Sequence, residues 1–492
     1  MSIIASCLLP LEKPPAAIAF LAGVCEDNLL DYEILDLNLY IKNQIGDDLW
    51  NESYTVMTTI EGPENKLLLD SIVVAMDSAI TKIIDHQSDL LAINVFSYQQ
   101  ATLTRIFLEK IKAKLTIPVI IGGPGISYEV SPHITLGKFL LDKDLIDYYV
   151  LGEGDLVLPR FINGVHELGL NAKGNKESWA VQIDDLDHCA IPSYKKINFK
   201  NYDPGINIQH TISITGSRGC VRRCTFCDVG HIWKKFRFRS SDNIVKEIIK
   251  HVQDTGVRQF MFTDSLINGS LKQFTDMMIT LSDLKIKYPE FTDIKYVGQF
   301  IVRPKEQHKE SLYRLMKDSG CHNIMVGVES GSDAVRFHMG KKFTNTDIDH
   351  HLDMCSKYKI RNTFLMMSGY PTETLQDHQD TISMFRRYQK YLLDETIINV
   401  TLYQPYVFLK NTPIDLMKHE LGITLIEENY GTYFFDVKTN PDLTIKERFR
   451  RYIEITKLIL DLKYPGSWAD LGSLRKHINN LVNLNKVETY EY

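Results

Sequence analysis

Cys220-Val221-Arg222-Arg223-Cys224-Thr225-Phe226-Cys227 gathers three of the chain's eight cysteines into eight residues. Roughly 0.002 such clusters are expected by chance in a chain of this length and composition, so the spacing has a chemical cause. What precedes it sets the fold. Residues 212–215, Ile-Ser-Ile-Thr, read as a short strand and pass directly into Gly216-Ser217-Arg218-Gly219. The cysteines therefore occupy a glycine-containing loop at the carboxyl end of a strand.

Working toward the C-terminus, further strands are expected at about 259–263, 294–300, 323–328, 362–367 and 397–402. Helical segments such as 243–252 and 377–388 separate them. Six strand–helix units in about 200 residues predict a partial parallel barrel of TIM type, (β/α)6, with its reactive groups at the strand carboxyl ends. Toward the N-terminus, residues 16–151 alternate in the same way. Strands at about 32–37, 90–96, 118–121 and 148–151 predict a doubly wound parallel sheet. Two of them open into Gly122-Gly123-Pro124-Gly125 and Gly152-Glu153-Gly154, where backbone can approach a ligand closely. Residues 166–205 are polar and aperiodic and read as a linker. The tail carries Thr444-Ile445-Lys446-Glu447, a capping-box pattern, before apolar positions at helical spacing. The expected organisation is thus 1–165, a linker 166–205, a barrel 206–415 and a mainly helical C-terminal region 416–492.

A chain of 492 residues with 44% apolar side chains has the material for two or three cores. Its formal net charge of −6 gives no basic footprint for nucleic acid as a whole, although a local patch can hide in that average. No stretch approaches the roughly 18 to 20 uncharged apolar residues of a membrane span, and the short apolar run 3–10 has no basic leader before it. A cytoplasmic protein without a membrane span is expected. Cys7, Cys25, Cys189, Cys321 and Cys355 are scattered singly and read as buried thiols rather than a disulfide framework.

Three thiolates can hold three irons of a 4Fe-4S cluster and leave the fourth open to a ligand. A structural zinc site in a binding module is the other reading, because His231 follows Cys227 by four residues and completes a Cys3His set. Cys-x-x-x-Cys-x-x-Cys with the aromatic Phe226 before the last cysteine resembles the signature of the radical S-adenosylmethionine (SAM) superfamily. That resemblance implies that Cys220, Cys224 and Cys227 hold the cluster, and that SAM bound at the open iron is cleaved to a 5'-deoxyadenosyl radical.

Later strand ends carry weaker resemblances. Asp264, in Phe262-Thr263-Asp264-Ser265, matches the segment that holds the SAM amine; capping of the next helix by Asp264 or Asn268 is the alternative. Gln299 and Arg303 follow on the third strand, where the guanidinium suits the methionine carboxylate or an ordinary salt bridge. Glu329 and Ser330, in Gly327-Val328-Glu329-Ser330-Gly331, are similar to the ribose-binding segment. Ser368, in Met366-Met367-Ser368-Gly369-Tyr370-Pro371, is similar to the segment beside the adenine. Lys341 or Lys342 matches a lysine often found beyond the fourth strand, a solvated turn being the commoner reading of such a pair.

The N-terminal sheet resembles the Rossmann-type cobalamin-binding domain that precedes the barrel in one branch of the superfamily, with Ser97, Gly123, Gly125 and Gly154 as the implied contacts. There is no Asp-x-His-x-x-Gly motif, so no histidine ligand to cobalt is implied. The implied activity is cobalamin-dependent methyl transfer to an unactivated carbon, with radical rearrangement, cyclisation or oxidation as the alternative outcome. An electron donor such as flavodoxin or ferredoxin is implied as partner. No second cysteine cluster is present, which argues against auxiliary iron-sulfur centres and a methylthiotransferase.

Overall fold

The structure is a computed structural model that describes residues 2–5, 14–55, 60–131, 133–165, 169–202, 210–429 and 432–464. The chain divides into two compact units, Met1–Ser213 with Lys246–Gln259 and Ile214–Val245 with Phe260–Tyr492.

The first unit is built on six strands, β1 (Ser2–Ala5), β2 (Glu33–Asp36), β3 (Leu91–Asn94), β4 (Val119–Gly122), β5 (Tyr148–Val150) and β6 (Leu170–Ala172), in the order β2-β1-β3-β4-β5-β6. All neighbours are parallel except β5 and β6. The central strands β3 (Leu-Ala-Ile-Asn) and β4 (Val-Ile-Ile-Gly) are apolar up to their last residues because both faces are covered. Leu91, Ile93, Val119 and Ile121 enter one core with helix Lys66–Asp85 and helix Ala101–Lys112. Leu90, Ala92 and Ile120 enter the core on the opposite face. Helix Lys66–Asp85 buries Leu68, Ile72, Ala75, Met76, Ala79 and Ile83, a stripe at helical spacing. The switch in strand order falls between β1 and β3, the place where doubly wound sheets offer a crevice at their carboxyl ends.

Two features of this unit differ from expectation. The apolar run at the N-terminus supplies β1, a central strand, at residues 2–5; residues 6–13 lie outside the described part. The supposed linker, where described, is ordered. Leu170–Ala172 pairs antiparallel with β5, and Asn171 is buried, its amide exchanging hydrogen bonds with Ser178 N (2.7 Å), Ser178 O (3.0 Å) and Gly169 O (3.0 Å). Ser193 donates to Ala19 O at 2.7 Å and to Glu26 at 2.6 Å. Its polar residues satisfy turns rather than water, which composition alone does not reveal. Residues 166–168 and 203–209 of that segment lie outside the described part.

The second sheet has six strands in sequential order, β7 (Thr211–Ile214), β8 (Gln259–Phe262), β9 (Lys295–Phe300), β10 (Cys321–Glu329), β11 (Arg361–Met366) and β12 (Ile397–Thr401). Pairing is parallel from β9 through β12. Helices follow most strands, among them Leu271–Lys287, Glu310–Ser319, Asn345–Tyr358 and Leu375–Leu393. The last two begin with capping boxes, Thr344 with Asp347 and Thr374 with Asp377, which stop the strand-end loop and start the helix sharply. All six expected strands are present within a few residues.

The C-terminal region 416–492, expected to be mainly helical, instead contributes β14 (Ile423–Asn429) and β15 (Thr432–Val437), which form an antiparallel sheet with β13 (Phe408–Leu409) from the end of the expected barrel, before helix Ile445–Asp461. Ile423, Tyr433, Phe435 and Val437 alternate inward to a core shared with Tyr370 and Tyr406. The expected helix is capped at Thr444, whose hydroxyl accepts from Glu447 N at 3.2 Å. Residues 465–492 of the predicted helical region lie outside the described part. Among the described residues no helix is long and apolar enough to cross a membrane.

Candidate active site

Asp264, one turn of loop beyond β8, holds the start of the cysteine loop. Its carboxylate accepts from Gly216 N–H at 2.8 Å and Ser217 O–H at 2.6 Å. It is buried, and burial raises its pKa to about 6. Both oxygens are thus engaged within the protein. Ser217-Arg218 then pairs antiparallel with Arg237-Phe238. Gly219 follows with φ of +86°, and a Cβ there would stand 2.4 Å from Lys235 O, so only glycine lets the chain fold back this closely.

Cys220, Cys224 and Cys227 are half-buried free thiols. Thr225, between them, is fixed from three sides: its N–H donates to Met339 O at 3.0 Å, its carbonyl accepts from Ile414 N–H at 2.8 Å, and its hydroxyl lies 2.7 Å from Tyr370 OH. Tyr370 OH in turn lies 2.9 Å from His338 Nδ1. Phe226 packs on the core that contains Tyr370, Tyr406 and Phe435. Burial pushes all three thiols up, Cys227 to about 11, while the Lys341 ammonium pulls Cys220 and Cys224 down. Such thiols become thiolates on binding a cation. Among the described residues no group of three or more His, Cys, Asp or Glu side chains is placed to hold a metal ion.

Glu329 ends β10 with φ of +65°, in a register shift between Gly327 and Glu329. A left-handed non-glycine residue at a strand end is strained backbone, which concentrates at functional sites. The buried Glu329 carboxylate meets Lys341 Nζ at 2.9 Å, and Lys341 also donates to Gly327 O at 2.8 Å. A Cβ on Gly327 would fall 2.6 Å from the Glu329 carboxylate and 2.7 Å from Lys341 Nζ. Lys341 lies 5.7 Å from the Phe226 ring centroid, which ties this ion pair to the cysteine loop. The reading of the two lysines as a solvated turn is thereby corrected for one of them: Lys342 is exposed, whereas Gly340 (φ +81°) turns the chain against Arg223 and seats Lys341 inside.

Ser330 is buried; its hydroxyl accepts from Ser332 N at 3.1 Å and its carbonyl from Arg336. Just beyond β11, Ser368 Oγ is buried with no hydrogen-bond partner among the described residues. The next residues are clamped by the C-terminal helix, a role not foreseen from sequence. Arg448 donates to the carbonyls of Gly369 (3.0 Å), Phe435 (2.8 Å) and Tyr406. Arg451 pairs with buried Glu373 at 3.1 Å, and Glu373 accepts from Gly369 N at 3.1 Å.

Gln299 is exposed on β9, and its carbonyl accepts from Ile267 N at 2.8 Å. Among the described residues Arg303 makes no ion pair with a carboxylate. It donates to Asn268 O at 2.9 Å and Gly269 O at 2.8 Å, and its buried Nε has no partner among the described residues. Burial, and after it the charge of Arg222, lowers its pKa. Asn268 does not cap a helix; its amide clasps Ile301 N and O at 3.0 and 2.9 Å.

The remaining candidates lie in the first unit. A Cβ on Gly123 (φ +104°) would stand 2.4 Å from Val95 O, and one on Gly125 would stand 2.9 Å from Ser97 N. These glycines let the loop after β4 press on the loop after β3, where Ser97 N–H donates to Gln100 at 3.1 Å. Only Gly154 keeps an open side, with Val150 at 3.9 Å from a built Cβ.

Residues 214–385 match the family model of the radical SAM superfamily. An uncharacterized methyltransferase of Pyrococcus horikoshii is 25% identical over 300 residues, 58% of this chain and 61% of the relative, so the match spans about three fifths of that relative's length. A tRNA-2-methylthio-N(6)-dimethylallyladenosine synthase of Flavobacterium psychrophilum is 26% identical over 365 residues, 67% of this chain and 72% of the relative. Among solved structures, the radical SAM methyltransferase TsrM of Kitasatospora setae, with cobalamin and a 4Fe-4S cluster bound, superposes with a TM-score of 0.64 at 16% identity, covering 87% of this chain and 80% of that one. The cobalamin-dependent radical enzyme OxsB with aqua-cobalamin bound gives 0.66 at 16% identity, covering 99% and 75%. At these identities the likeness establishes a shared α/β fold.

Proposed function

We propose that this chain, whose residues 214–385 form a radical SAM domain, is a radical SAM enzyme that uses cobalamin to methylate an unactivated carbon of its substrate. The observation that carries the reading is the nearness of the cysteine loop, through Phe226, to the strained, buried Glu329–Lys341 pair at the carboxyl end of β10. The donor chemistry fits the groups concerned. Three thiols whose ionisation awaits a cation suit a cluster with one open iron, and the unpartnered Arg303 Nε and Ser368 Oγ offer polar contacts to SAM. When bound, the cluster and SAM supply a 5'-deoxyadenosyl radical that takes a hydrogen atom from the substrate, and cobalamin supplies the methyl group.

In this reading Cys220, Cys224 and Cys227 hold the cluster and Phe226 anchors their loop. Arg303 with Arg222 takes the methionine carboxylate, Gln299 lines the same face, Glu329 and Ser330 orient the ribose, and Ser368 lies beside the adenine. Asp264 acts one step back, by fixing Gly216 and Ser217. Residues 1–165 form the Rossmann-type cobalamin domain, with Ser97, Gly123, Gly125 and Gly154 at its rim; the half-exposed Phe96 adds apolar surface suited to a flat, neutral ligand. Residues 206–415 form the partial barrel, and a flavodoxin or ferredoxin supplies electrons. Protein purified without oxygen from cells given cobalamin should carry near-stoichiometric corrinoid and transfer labelled methyl from SAM to product. Cluster and 5'-deoxyadenosine without corrinoid would sink the methyl-transfer reading while leaving the radical one.

A further inference from the structure

The helices of the second unit fix which face of its sheet each strand residue takes. Asn362 on β11 meets His351 of helix Asn345–Tyr358, Oδ1 to Nε2 at 2.9 Å, and Phe364 lies edge-on to Tyr388 of helix Leu375–Leu393 with ring centroids 6.4 Å apart. Phe300 on β9 stacks on the same His351 at 5.5 Å. Their neighbours along each strand therefore point to the opposite face. Pairing across the strands sets those neighbours in two rows. Gln299, Met325, Thr363 and Asn399 form one, and Gly327, Leu365 and Thr401 form the next toward the carboxyl ends.

Neither row holds a charged side chain, although Arg303, Glu329 and Lys341 follow at the strand ends. Both rows are rich in unanswered hydrogen-bonding groups. Asn399 Oδ1 is buried without a partner among the described residues, and so is Oδ1 of Asn323, two residues before Met325 on the same face of β10. Thr363 Oγ1 accepts from Asn323 Nδ2 at 3.4 Å, which leaves its own O–H to donate. Gln299 is exposed, so the face is open on its β9 side.

We infer that this face holds a neutral amide group of the substrate. The inference rests on the radical reading above and names the substrate class for it. Two amide oxygens call for N–H donors and the Thr363 O–H calls for a carbonyl; an amide edge supplies both. A carboxylate or phosphate would lose its water here with no cation in either row. An alkyl chain would leave both amide oxygens without donors. Met325 and Leu365 add apolar contact for the body of the group. Both rows precede Glu329 and Ser368 along their strands, so the seated amide lies on the amino-end side of the residues assigned to SAM. A peptide carboxamide and the lactam edge of a nucleobase share this chemistry.

The test measures binding to the holoenzyme by saturation-transfer NMR. The probes are N-acetylglycinamide and uracil as neutral amides, N-acetylglycine as the charged twin of the first, and toluene as an apolar ring. At least one neutral amide should bind about tenfold tighter than N-acetylglycine and toluene, and should lose about tenfold in at least one of the near-isosteric variants Asn399→Leu and Thr363→Val. Preference for N-acetylglycinamide supports a peptide-type substrate, and preference for uracil supports a nucleobase. N-acetylglycine or toluene binding as tightly as the amides overturns the inference, as does a wild type that binds neither amide. Amide binding unchanged in both variants overturns it too, and the wild-type comparison stands whether or not the variants fold. A wild type that binds an amide yet forms no 5'-deoxyadenosine under dithionite would overturn the radical reading and leave the amide site standing.

Discussion

Replacing Arg448 by alanine should free the strand-end loop 369–373 while leaving the centre of the sheet intact. The guanidinium is fully buried and supplies hydrogen bonds to three carbonyls, those of Gly369, Phe435 and Tyr406, with its charge over the Phe435 ring at 3.7 Å. Burial lowers its pKa to about 10, so it remains charged at neutral pH. Each orphaned buried carbonyl costs about 1–3 kcal/mol. Relaxation and water entry recover part of the sum, which leaves roughly 3 kcal/mol of local destabilisation. At about 1.4 kcal/mol per decade, the amides of Gly369 and Glu373 should exchange roughly a hundredfold faster. These amides donate to Glu373 Oε2 at 3.1 Å and Tyr370 O at 2.8 Å. Hydrogen exchange read by mass spectrometry on peptides covering 369–373, with peptides from β10 as internal control, measures this directly. Arg448→Met fills the volume but not the bonds and should behave like alanine. Unchanged exchange at 369–373 in both variants would refute the clamp.

The buried Asp264 makes a pH prediction of a particular sign. Its folded pKa of about 6 lies above its ordinary 3.8 because of burial, so the folded state binds the proton more tightly than the unfolded one. This group therefore subtracts stability as pH rises from about 4 to about 6, and the loss is complete above that window. Asp264→Asn keeps an oxygen for Gly216 N–H without that loss. Thermal melting of the metal-free variant should gain on wild type between about pH 4 and about pH 7, and a pH-independent difference would contradict the assignment. Lys341→Met strands the Glu329 carboxylate without its cation and should cost about 3–5 kcal/mol. Adding Glu329→Gln should restore much of it, a coupling readable in a double-mutant cycle of melting midpoints.

Apart from β1, the parallel strands were legible because most are short apolar runs closed by glycine or by a polar residue with chemistry to do. Gln259–Phe262, ahead of Thr263-Asp264, is one example, and Val119–Gly122, ahead of Gly123, is another. The hairpin Ile423–Asn429 and Thr432–Val437 was missed although Tyr433, Phe435 and Val437 alternate at period two, a signal hidden in a region judged only by its clear final helix. Burial of one of two adjacent lysines depends on the turn at Gly340 and on what it meets, so Lys341 was not separable from Lys342 by pattern. Arg448 left a faint trace: it shares a helical face with Tyr452, Ile455 and Ile459, at spacings of four, seven and eleven, where a solvated arginine has no place. Gly123 and Gly125 carried the right message of close approach, but their near neighbour is the chain's own loop at Val95–Ser97.

The central claim is that Cys220, Cys224 and Cys227 hold a cluster that cleaves SAM. Wild type and the three single Cys→Ala variants, purified and reconstituted without oxygen, should be compared for iron, sulfide and 5'-deoxyadenosine formed from SAM under dithionite. The account predicts about four irons per chain in the wild type, 5'-deoxyadenosine from it alone, and loss of both in every variant with secondary structure retained. One tightly held zinc, no labile sulfide and no 5'-deoxyadenosine from the wild type would contradict it.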